Sequence, residues 1–451
     1  MSDNLSLAPE RAAAEAVAPS PQRPTFRQAL GFWLELGFIS FGGPAGQIAI
    51  MHRELVERRR WIDEPRFLHA LNFCMLLPGP EAQQLAIYLG WLLHGIRGGV
   101  VAGTLFVLPS ALILWALSWS YVVWRDVPLV DAVLHGLQAA VVAIVAAAVM
   151  RIGRRALHGP LAWFVAAASF VAIALLALPF PLIIAAAALI GLATQSFAPG
   201  SFAPATGHGS PAGATTAMAE AALSAGQTRN GPGRVVRLLA VHLGLWFAPI
   251  ALAASLLGSG HLLVQQGLFF SKAALVTFGG AYAVLPYVAQ QTVERFAWLS
   301  GSQMMVGMAL AETTPGPLIM VLQFVGFVGA WNHPAPFSPL IAATLGAAIT
   351  TWTTFVPCFL FVLLGAPWVE RLRGSPKLSA ALGAITAAVV GVVLALALWF
   401  GRQVLFPATG SMDLFALAVA VLAFFCLTAR EWSIIAVVGA AALAGLLQSH
   451  L

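Results

Sequence analysis

Charged side chains are scarce in this chain. The 23 Lys and Arg and 17 Asp and Glu make up 9% of its 451 residues, whereas 60% are hydrophobic. A soluble domain carries roughly 25% charged residues, and no soluble core of this size can bury so much apolar surface. The composition therefore excludes a soluble globular protein and predicts an all-α polytopic membrane protein, with lipid as its main solvent.

Residues with the spacing of metal ligands or catalytic groups are also lacking. The cysteines lie far apart in apolar runs, which provides neither a disulfide framework nor a metal site, and we interpret them as buried small hydrophobes. The histidines quoted below are interpreted as packing or interfacial residues. The sequence therefore predicts no enzyme, no metal and no cofactor, and the scattered Arg residues do not form a nucleic-acid footprint. These residues are Cys74, Cys358, Cys426, His52, His94, His135 and His242.

Composition divides the chain into segments. Residues 195–233 are rich in Gly, Ala, Pro, Ser and Thr, which predicts a flexible linker. Residues 1–24 lack the basic start and the apolar stretch of a signal peptide, so we expect a disordered cytoplasmic tail. The remaining boundaries predict a first repeat at 25–194, an extra transmembrane helix at 234–260 and a second repeat at 261–451.

Three motifs occur twice at one constant offset. The two members of each pair are 237 positions apart without gaps, which chance does not readily produce, so the chain contains an internal duplication. A fourth pair is 248 positions apart and predicts an insertion near 331–339 in the second copy. The pairs are "SFGGPAGQI" (40–48) with "TFGGAYAVL" (277–285), "ERRRWID" (57–63) with "ERFAWLS" (294–300), "LPGPE" (77–81) with "TPGPL" (314–318), and "VLPSALIL" (107–114) with "FVPCFLFV" (355–362).

Helix-breaking residues interrupt the apolar segments 27–57 and 65–95 near their middles. Each uninterrupted arm is about 13–16 residues, shorter than the ~20 residues that a membrane-spanning helix needs. We therefore predict re-entrant hairpins or helices broken near the midplane, and a plain kinked crossing is the alternative. Irregular backbone at that depth is tolerated only inside protein or beside a water-filled cavity.

The distribution of positive charge predicts the orientation of the two repeats. The loop 57–63 of the first copy is rich in Arg. The equivalent loop of the second copy contains only Arg295, beside Glu294. Because cytoplasmic loops are enriched in Lys and Arg, we expect the repeats to be inverted relative to each other, with the N-terminus in the cytoplasm. Inverted repeats with broken helices are typical of secondary transporters.

The broken helices predict an anion site. A helix N-terminus leaves several N–H groups unpaired and carries partial positive charge, so it binds anions without a formal cation. Pro80 and Pro317 suit the first position of a returning half-helix, and the glycines of both motifs allow close approach of a ligand. We expect the four tips to form a donor-lined pocket for a small, tetrahedral, divalent oxyanion.

Charged side chains near the tips have two interpretations each. Glu81 and Glu312 are candidates to carry a coupling proton, because a carboxylate at membrane depth is a functional hypothesis by default; Glu81 as a helix cap is equally favoured. Glu35 and Lys272 share one repeat position, which suggests an ion pair or a substrate contact by Lys272. The shared Arg58 and Arg295 attract anions at each mouth or anchor the chain at the membrane interface.

Longer stretches around these motifs resemble the chromate ion transporter superfamily. They are "FGGPAGQIAIMHRELVERRRWID", "LPGPEAQQLAIYLGWLLHGIRGGVVAG" and "TTPGPLIMVLQFVGF", and the resemblance covers about residues 26–400. It implies a long-chain, two-domain transporter of the bacterial inner membrane that exports chromate and confers chromate resistance. The second FGG is followed by Ala281 rather than proline. The motif residues carry over as Phe41, Gly42, Gly43, Pro44, Pro78, Gly79, Pro80, Glu81, Gln84, Phe278, Gly279, Gly280, Pro315, Gly316 and Pro317.

Several alternatives stay open from the sequence. Sulfate is a tetrahedral dianion of similar size, so a sulfate or other oxyanion transporter of the same fold is the second hypothesis. A passive anion channel is another. Export would be coupled to protons or to sulfate, and a homodimer is one assembly that the sequence allows.

Overall fold

A computed structural model of the chain describes residues 24–202, 232–365, 376–407 and 411–449. Across these ranges the regular structure is helical and contains no strand. The expected tail lies outside the described residues except for Pro24, and the expected linker (195–233) lies outside them over 203–231. Where the linker was expected to begin, a helix continues to Phe197, and the next helix begins at Pro232.

The first repeat contains seven helices within the described ranges. A π-helical turn, Arg53–Arg58, extends the second of them. The helices are α1 Phe26–Ile39, α2 Gly43–His52, α3 Glu64–Cys74, α4 Glu81–Trp124, α5 Pro128–Ala156, α6 Pro160–Ala174 and α7 Phe180–Phe197.

The second repeat follows a separate helix, α8, Pro232–Leu257. It again contains a π-helical turn, Gln290–Arg295, and adds a 3-10 turn, Leu318–Met320. Its helices are α9 Leu262–Val276, α10 Ala281–Ala289, α11 Gly301–Thr313, α12 Val321–Asn332, α13 Pro339–Gly365, α14 Pro376–Leu405, α15 Leu414–Thr428 and α16 Ile434–Gln448.

Local details of the backbone repeat at the same offset of 237 positions. The π-helical turns begin at Arg53 and Gln290. Asp63 caps α3 and Ser300 caps α11 through the same bond, in which the side chain accepts from the backbone three residues later. The internal duplication is therefore a duplication of structure, down to the irregular turns.

Helix α4 is a hairpin rather than one straight helix. His94 and Gly95 have non-helical backbone angles, and Gly95 has a φ of 61°. The arms 81–93 and 96–124 pack against each other, because a Cβ on Gly90 would lie 2.5 Å from the carbonyl oxygen of Gly98. In the second repeat the loop 333–338 replaces this turn, which places the extra residues where the insertion was predicted.

Six described helices, α4, α5, α7, α8, α13 and α14, are long and apolar enough to cross a membrane. Both interrupted segments form separate helices, α1 with α2 and α3 with the first arm of α4, as the positions of the breakers predicted. Large apolar side chains remain exposed along the outer helices, such as Leu112, Phe164 and Leu256. The structure therefore confirms an all-α polytopic membrane protein.

The two repeats share one core because they exchange helices. Helices α6 and α7 of the first repeat pack on α14 of the second, and α15 and α16 of the second pack on α5 of the first. Small residues allow this approach: Gly445 of α16 would place a Cβ 3.1 Å from the backbone nitrogen of Gly136 in α5. This exchange holds the interrupted segments of both repeats at the centre of the molecule.

Candidate functional site

The two PGP motifs each reach into the opposite repeat. The backbone N–H of Gly79 donates to the carbonyl oxygen of Thr277 at 2.7 Å, and the N–H of Gly316 donates to that of Ser40 at 2.8 Å. Ser40 and Thr277 are equivalent residues, each directly before an FGG motif. The same bond is therefore made twice, once between 78–80 and 277–280 and once between 315–317 and 40–43, and we call these four segments the tip cluster.

Glycine is required in both PGP motifs for two reasons. Gly79 and Gly316 have φ values of 124° and 105°, which side chains rarely allow. A Cβ on Gly316 would lie 2.5 Å from the Cβ of Ser110, and one on Gly79 would lie 2.9 Å from the Sγ of Cys358. Ser110 and Cys358 are equivalent residues of the fourth repeated pair. Each PGP motif therefore packs against the helix of the other repeat that carries this residue.

The amides of Gly79 and Gly316 are not available to an anion. We expected both glycines to leave free donors for an oxyanion, and for these two N–H groups that expectation is wrong, because each bonds to a carbonyl of the other repeat. Joining the repeats satisfies donors that would otherwise be costly at membrane depth. The free donors therefore belong to the helices that start beside the PGP motifs.

Two such helices start at the FGG motifs: α2 begins at Gly43, the last residue of the first motif, and α10 begins at Ala281, directly after the second. Gly42 and Gly279 have φ values of 88° and 78°, and both are exposed. The first N–H groups of a helix have no partner inside it. Pro44 removes one of these donors from α2, whereas Ala281 keeps it in α10. The second tip therefore has a donor at the position where it departs from the family pattern, whereas the N–H of Ala283 in the same turn already bonds to the carbonyl oxygen of Gly280.

The carboxylate of Glu81 lies at this second tip. Glu81 begins the first arm of α4, is partly exposed, and places its Oε1 3.9 Å from the position of a Cβ on Gly280, the residue before α10. A carboxylate there occupies the place that favours an anion, at the amino end of a helix. Glu81 therefore places a carboxylate at the start of α10.

Two arginines of α5 bring positive charge toward the same region. Arg151 and Arg155 lie near the end of α5, which packs on α11, the helix that carries Glu312. They are four residues apart, so they lie on one face of the helix, and both are exposed. Nothing in the sequence pattern relates α5 to the tips.

Glu312 lies deeper than Glu81. Its carboxylate is buried and accepts a hydrogen bond from the hydroxyl of Tyr282, the second residue of α10. The bond joins the end of α11 to the start of α10. Glu312 is therefore tied to the FGG tip through Tyr282, whereas Glu81 borders that tip directly.

Replacing Tyr282 with Phe is expected to destabilise the fold by about 1–3 kcal/mol, because the buried Glu312 carboxyl loses its donor. Thermal unfolding of the purified protein in detergent measures this loss. Tyr287→Phe is the matched control on the same helix. The phenyl ring of this variant keeps the ring contacts that Tyr287 makes with Phe180 and Phe269. Equal melting temperatures for both variants would contradict the role assigned to the Tyr282 hydroxyl.

One known protein family matches both repeats of the chain. The family model described as chromate transporter matches the chain twice, over residues 27–192 and 264–446, once in each repeat. The chain belongs to the chromate transporter family. The matches leave out α8, which stands between the repeats.

Curated relatives of this chromate transporter family member agree in length as well as in sequence. The chromate transport protein of Pseudomonas aeruginosa is 32% identical over 442 residues, covering 96% of this chain and 94% of the relative. The chromate transport protein of Cupriavidus metallidurans is 30% identical over 396 residues, 86% of each chain. No solved structure matches. Both relatives are named as transport proteins, which confirms the expectation of a transporter rather than an enzyme.

Two glutamines of this family member brace the PGP motifs. The side-chain amide of Gln84 donates to the carbonyl oxygen of Pro78 at 2.6 Å. The amide of Gln47 donates to the carbonyl oxygens of Gly316 and Ser40. Gln47 was missed from the sequence, because the equivalent residue of the second repeat is Val284 and comparison of the copies does not select it.

Other predicted site residues contact their own repeat. Glu35 pairs with Arg59 at 3.1 Å, and no salt bridge joins Glu35 to Lys272 in the part of the chain that the structure describes, so the expected ion pair is wrong. Lys272 is exposed. The remaining bonds are Arg58 to Glu54 at 2.7 Å and Arg295 to Gln291 at 3.4 Å, each within a π-helical turn.

The phenylalanines of the FGG motifs form equivalent turns. The N–H of Phe41 donates to the carbonyl oxygen of Ile39, and that of Phe278 to the carbonyl oxygen of Val276. Both rings are partly buried. Within the described ranges no group of three or more His, Cys, Asp or Glu could hold a metal ion.

Proposed function

We propose that this protein exports chromate across the bacterial inner membrane as a secondary active transporter, with its N-terminus in the cytoplasm. Membership of the chromate transporter family supports the substrate. The observation that carries the proposal is the tip cluster, where both repeats bring helix starts together beside Glu81. A helix start binds an oxyanion through N–H groups and partial positive charge.

The proposed chromate site lies at the FGG tips, at the start of α10 beside Glu81. Chromate is a tetrahedral dianion whose oxygens accept hydrogen bonds from N–H groups at Gly280 and Ala281. Arg151 and Arg155 of α5 raise the local concentration of anions. The PGP motifs act by fixing the distance between the two tips, through the bonds to Ser40 and Thr277.

Alternating access follows from inverted repeats. Reciprocal bonds between equivalent residues are what an approximate two-fold axis produces, and the loss of Arg from the second loop favours an axis in the membrane plane. Rocking of one repeat against the other around a fixed central site then opens the site to each side in turn. In this scheme the tip cluster lies at the centre of the motion.

Energetics favour the outward direction. Moving one elementary charge across a membrane potential of 100 mV is worth about 2.3 kcal/mol, so a dianion leaving a negative interior gains roughly 5 kcal/mol. A proton carried by Glu81 leaves together with chromate, so it lowers the net charge moved to −1 and the gain to roughly 2 kcal/mol. The Glu81 carboxylate and the oxyanion require the same donors, so Glu81 takes up a proton when chromate binds and releases it when chromate leaves.

Chromate flux into proteoliposomes with imposed pH and sulfate gradients tests the proposal. We expect saturable chromate flux that responds to the pH gradient and to the membrane potential. Unsaturable flux would support a passive channel instead, and acceleration by sulfate on the opposite side would support sulfate exchange. Sulfate flux without any chromate flux would overturn the substrate assignment. Empty liposomes supply the background rate.

A further inference from the structure

A cavity separate from the tip cluster lies on the flank of the molecule, between α4, α8 and α13. This flank cavity has a volume of about 460 Å³ and is lined almost entirely by apolar side chains. Its lining residues Leu108, Leu112 and Leu245 are exposed apolar groups on helices that cross the membrane. The cavity therefore opens toward the bilayer interior, and its apolar wall excludes an oxyanion.

One polar side chain in this wall lacks a partner. Gln83 is fully buried, and neither its amide nitrogen nor its amide oxygen has a hydrogen-bond partner. A buried amide left unpaired is costly, because it has lost its water without replacement. Gln83 therefore requires a molecule that both accepts from and donates to an amide.

The neighbouring polar groups are already paired. The indole N–H of Trp115 donates to the hydroxyl of Thr344 at 3.1 Å. The amide of Gln323 donates to the carbonyl oxygen of Ala111 at 2.7 Å, and its oxygen accepts from Thr351 at 2.9 Å. The bonds of these groups do not involve Gln83, which leaves the cavity as the place from which a partner can reach it.

We propose that the flank cavity binds a membrane-dissolved quinone or its quinol. A quinone carbonyl accepts from the Gln83 amide nitrogen, whereas the hydroxyl of its quinol both accepts from that nitrogen and donates to the amide oxygen, so the quinol form satisfies both unpaired atoms. The wall contains Trp115, Trp352, Phe355 and Phe359, which suit a planar ring. The volume falls in the usual range for small-molecule sites, and the apolar tail leaves through the opening to lipid.

The proposal gives the cavity a link to the transport machinery. Gln83 lies two residues after Glu81, in the first turn of α4. An occupant that bonds to Gln83 fixes that turn, so quinone binding adjusts the position of Glu81 at the tip cluster. The binding proposal itself is independent of the transport proposal, because it is measured without chromate.

Photolabelling in lipid nanodiscs tests this site. The probe is a photoreactive azidoquinone with a short alkyl tail, and labelled peptides are identified by mass spectrometry. We expect labels in 100–115 and 344–359, with competition by decylbenzoquinone but not by decylbenzene, which has a six-membered ring and the same tail without oxygen. Equal competition by both compounds would overturn the proposal, since it would show a site for any apolar chain, such as a lipid acyl chain.

Variants of the wall sharpen the test. Gln83→Leu keeps the size of the side chain but removes the amide, and it is expected to weaken competition by decylbenzoquinone roughly ten-fold. Ala348→Phe fills the cavity from its exposed edge and is expected to abolish specific labelling. Ala185→Phe, at an exposed position of α7 outside the cavity, is the control. Unchanged labelling and competition in Gln83→Leu and Ala348→Phe would overturn the proposal.

Discussion

Replacing Gly316 with Ala is expected to reduce chromate transport at least a hundred-fold while the protein still folds. The new Cβ would lie 2.5 Å from the Cβ of Ser110, and the φ of 105° is strained for any side chain. Positive φ and overpacking each cost about 1–3 kcal/mol. The strain acts on the bond from Gly316 to Ser40, and therefore on the spacing of the tips. Initial flux rates in proteoliposomes, with melting temperatures in detergent, measure both effects.

A second substitution separates crowding from backbone strain. Ser110→Gly removes the atoms that the new Cβ meets, so the double variant is expected to regain part of the flux, with the remaining loss due to the φ of Gly316. At the equivalent position, Gly79→Ala is expected to be milder, because its Cβ meets the ends of the Gln84 and Cys358 side chains, which can move. Wild-type flux in Gly316→Ala would refute the role of the PGP motif.

Comparison of the two copies predicted which segments meet, but not which atoms. Residues at one offset have the same local environment, so the breaks at FGG and PGP and the insertion after α12 follow from the pattern. The bond from Gly79 to Thr277 does not, because a partner in the other repeat is set by the packing of α4 on α13 and by the exchanged helices. Free N–H donors were predicted at the PGP motifs, but the fold uses those of Gly79 and Gly316 in hydrogen bonds between the repeats.

The expected pair of Glu35 and Lys272 illustrates the same limit. Equivalent residues of two repeats approach each other only where they lie near the symmetry axis, and an alignment carries no information on that distance. Glu35 instead bonds to Arg59, a partner in its own repeat that the second copy lacks. Arg151 and Arg155 of α5 were not selected as site residues from the sequence for a related reason. The second copy carries Trp399 and Gln403 at the positions 248 residues on, so the comparison gave no signal.

Replacing Glu81 with Gln is expected to remove the pH dependence of chromate transport. In the proposed mechanism the ionised carboxylate of Glu81 competes with chromate for the N–H donors at the start of α10. Raising the pH increases the ionised fraction of Glu81. Wild-type flux should therefore fall as pH rises, by up to about ten-fold per unit once Glu81 is mostly ionised. The amide in the Glu81→Gln variant is neutral at every pH, so the flux of that variant should stay level. Initial rates at several symmetrical pH values measure this difference.

The controls decide whether the effect belongs to this carboxylate. Glu81→Asp keeps an acid at the second tip and should retain the pH dependence, whereas Glu312→Gln alters the buried acid that bonds to Tyr282 and should leave that dependence in place. If Glu312→Gln rather than Glu81→Gln flattens the profile, the coupling proton resides on Glu312. If both profiles stay steep, neither carboxylate carries it, and Glu81 is a structural cap at the start of α10. The geometry favours Glu81, because its carboxylate lies beside Gly280, where the oxyanion is proposed to bind.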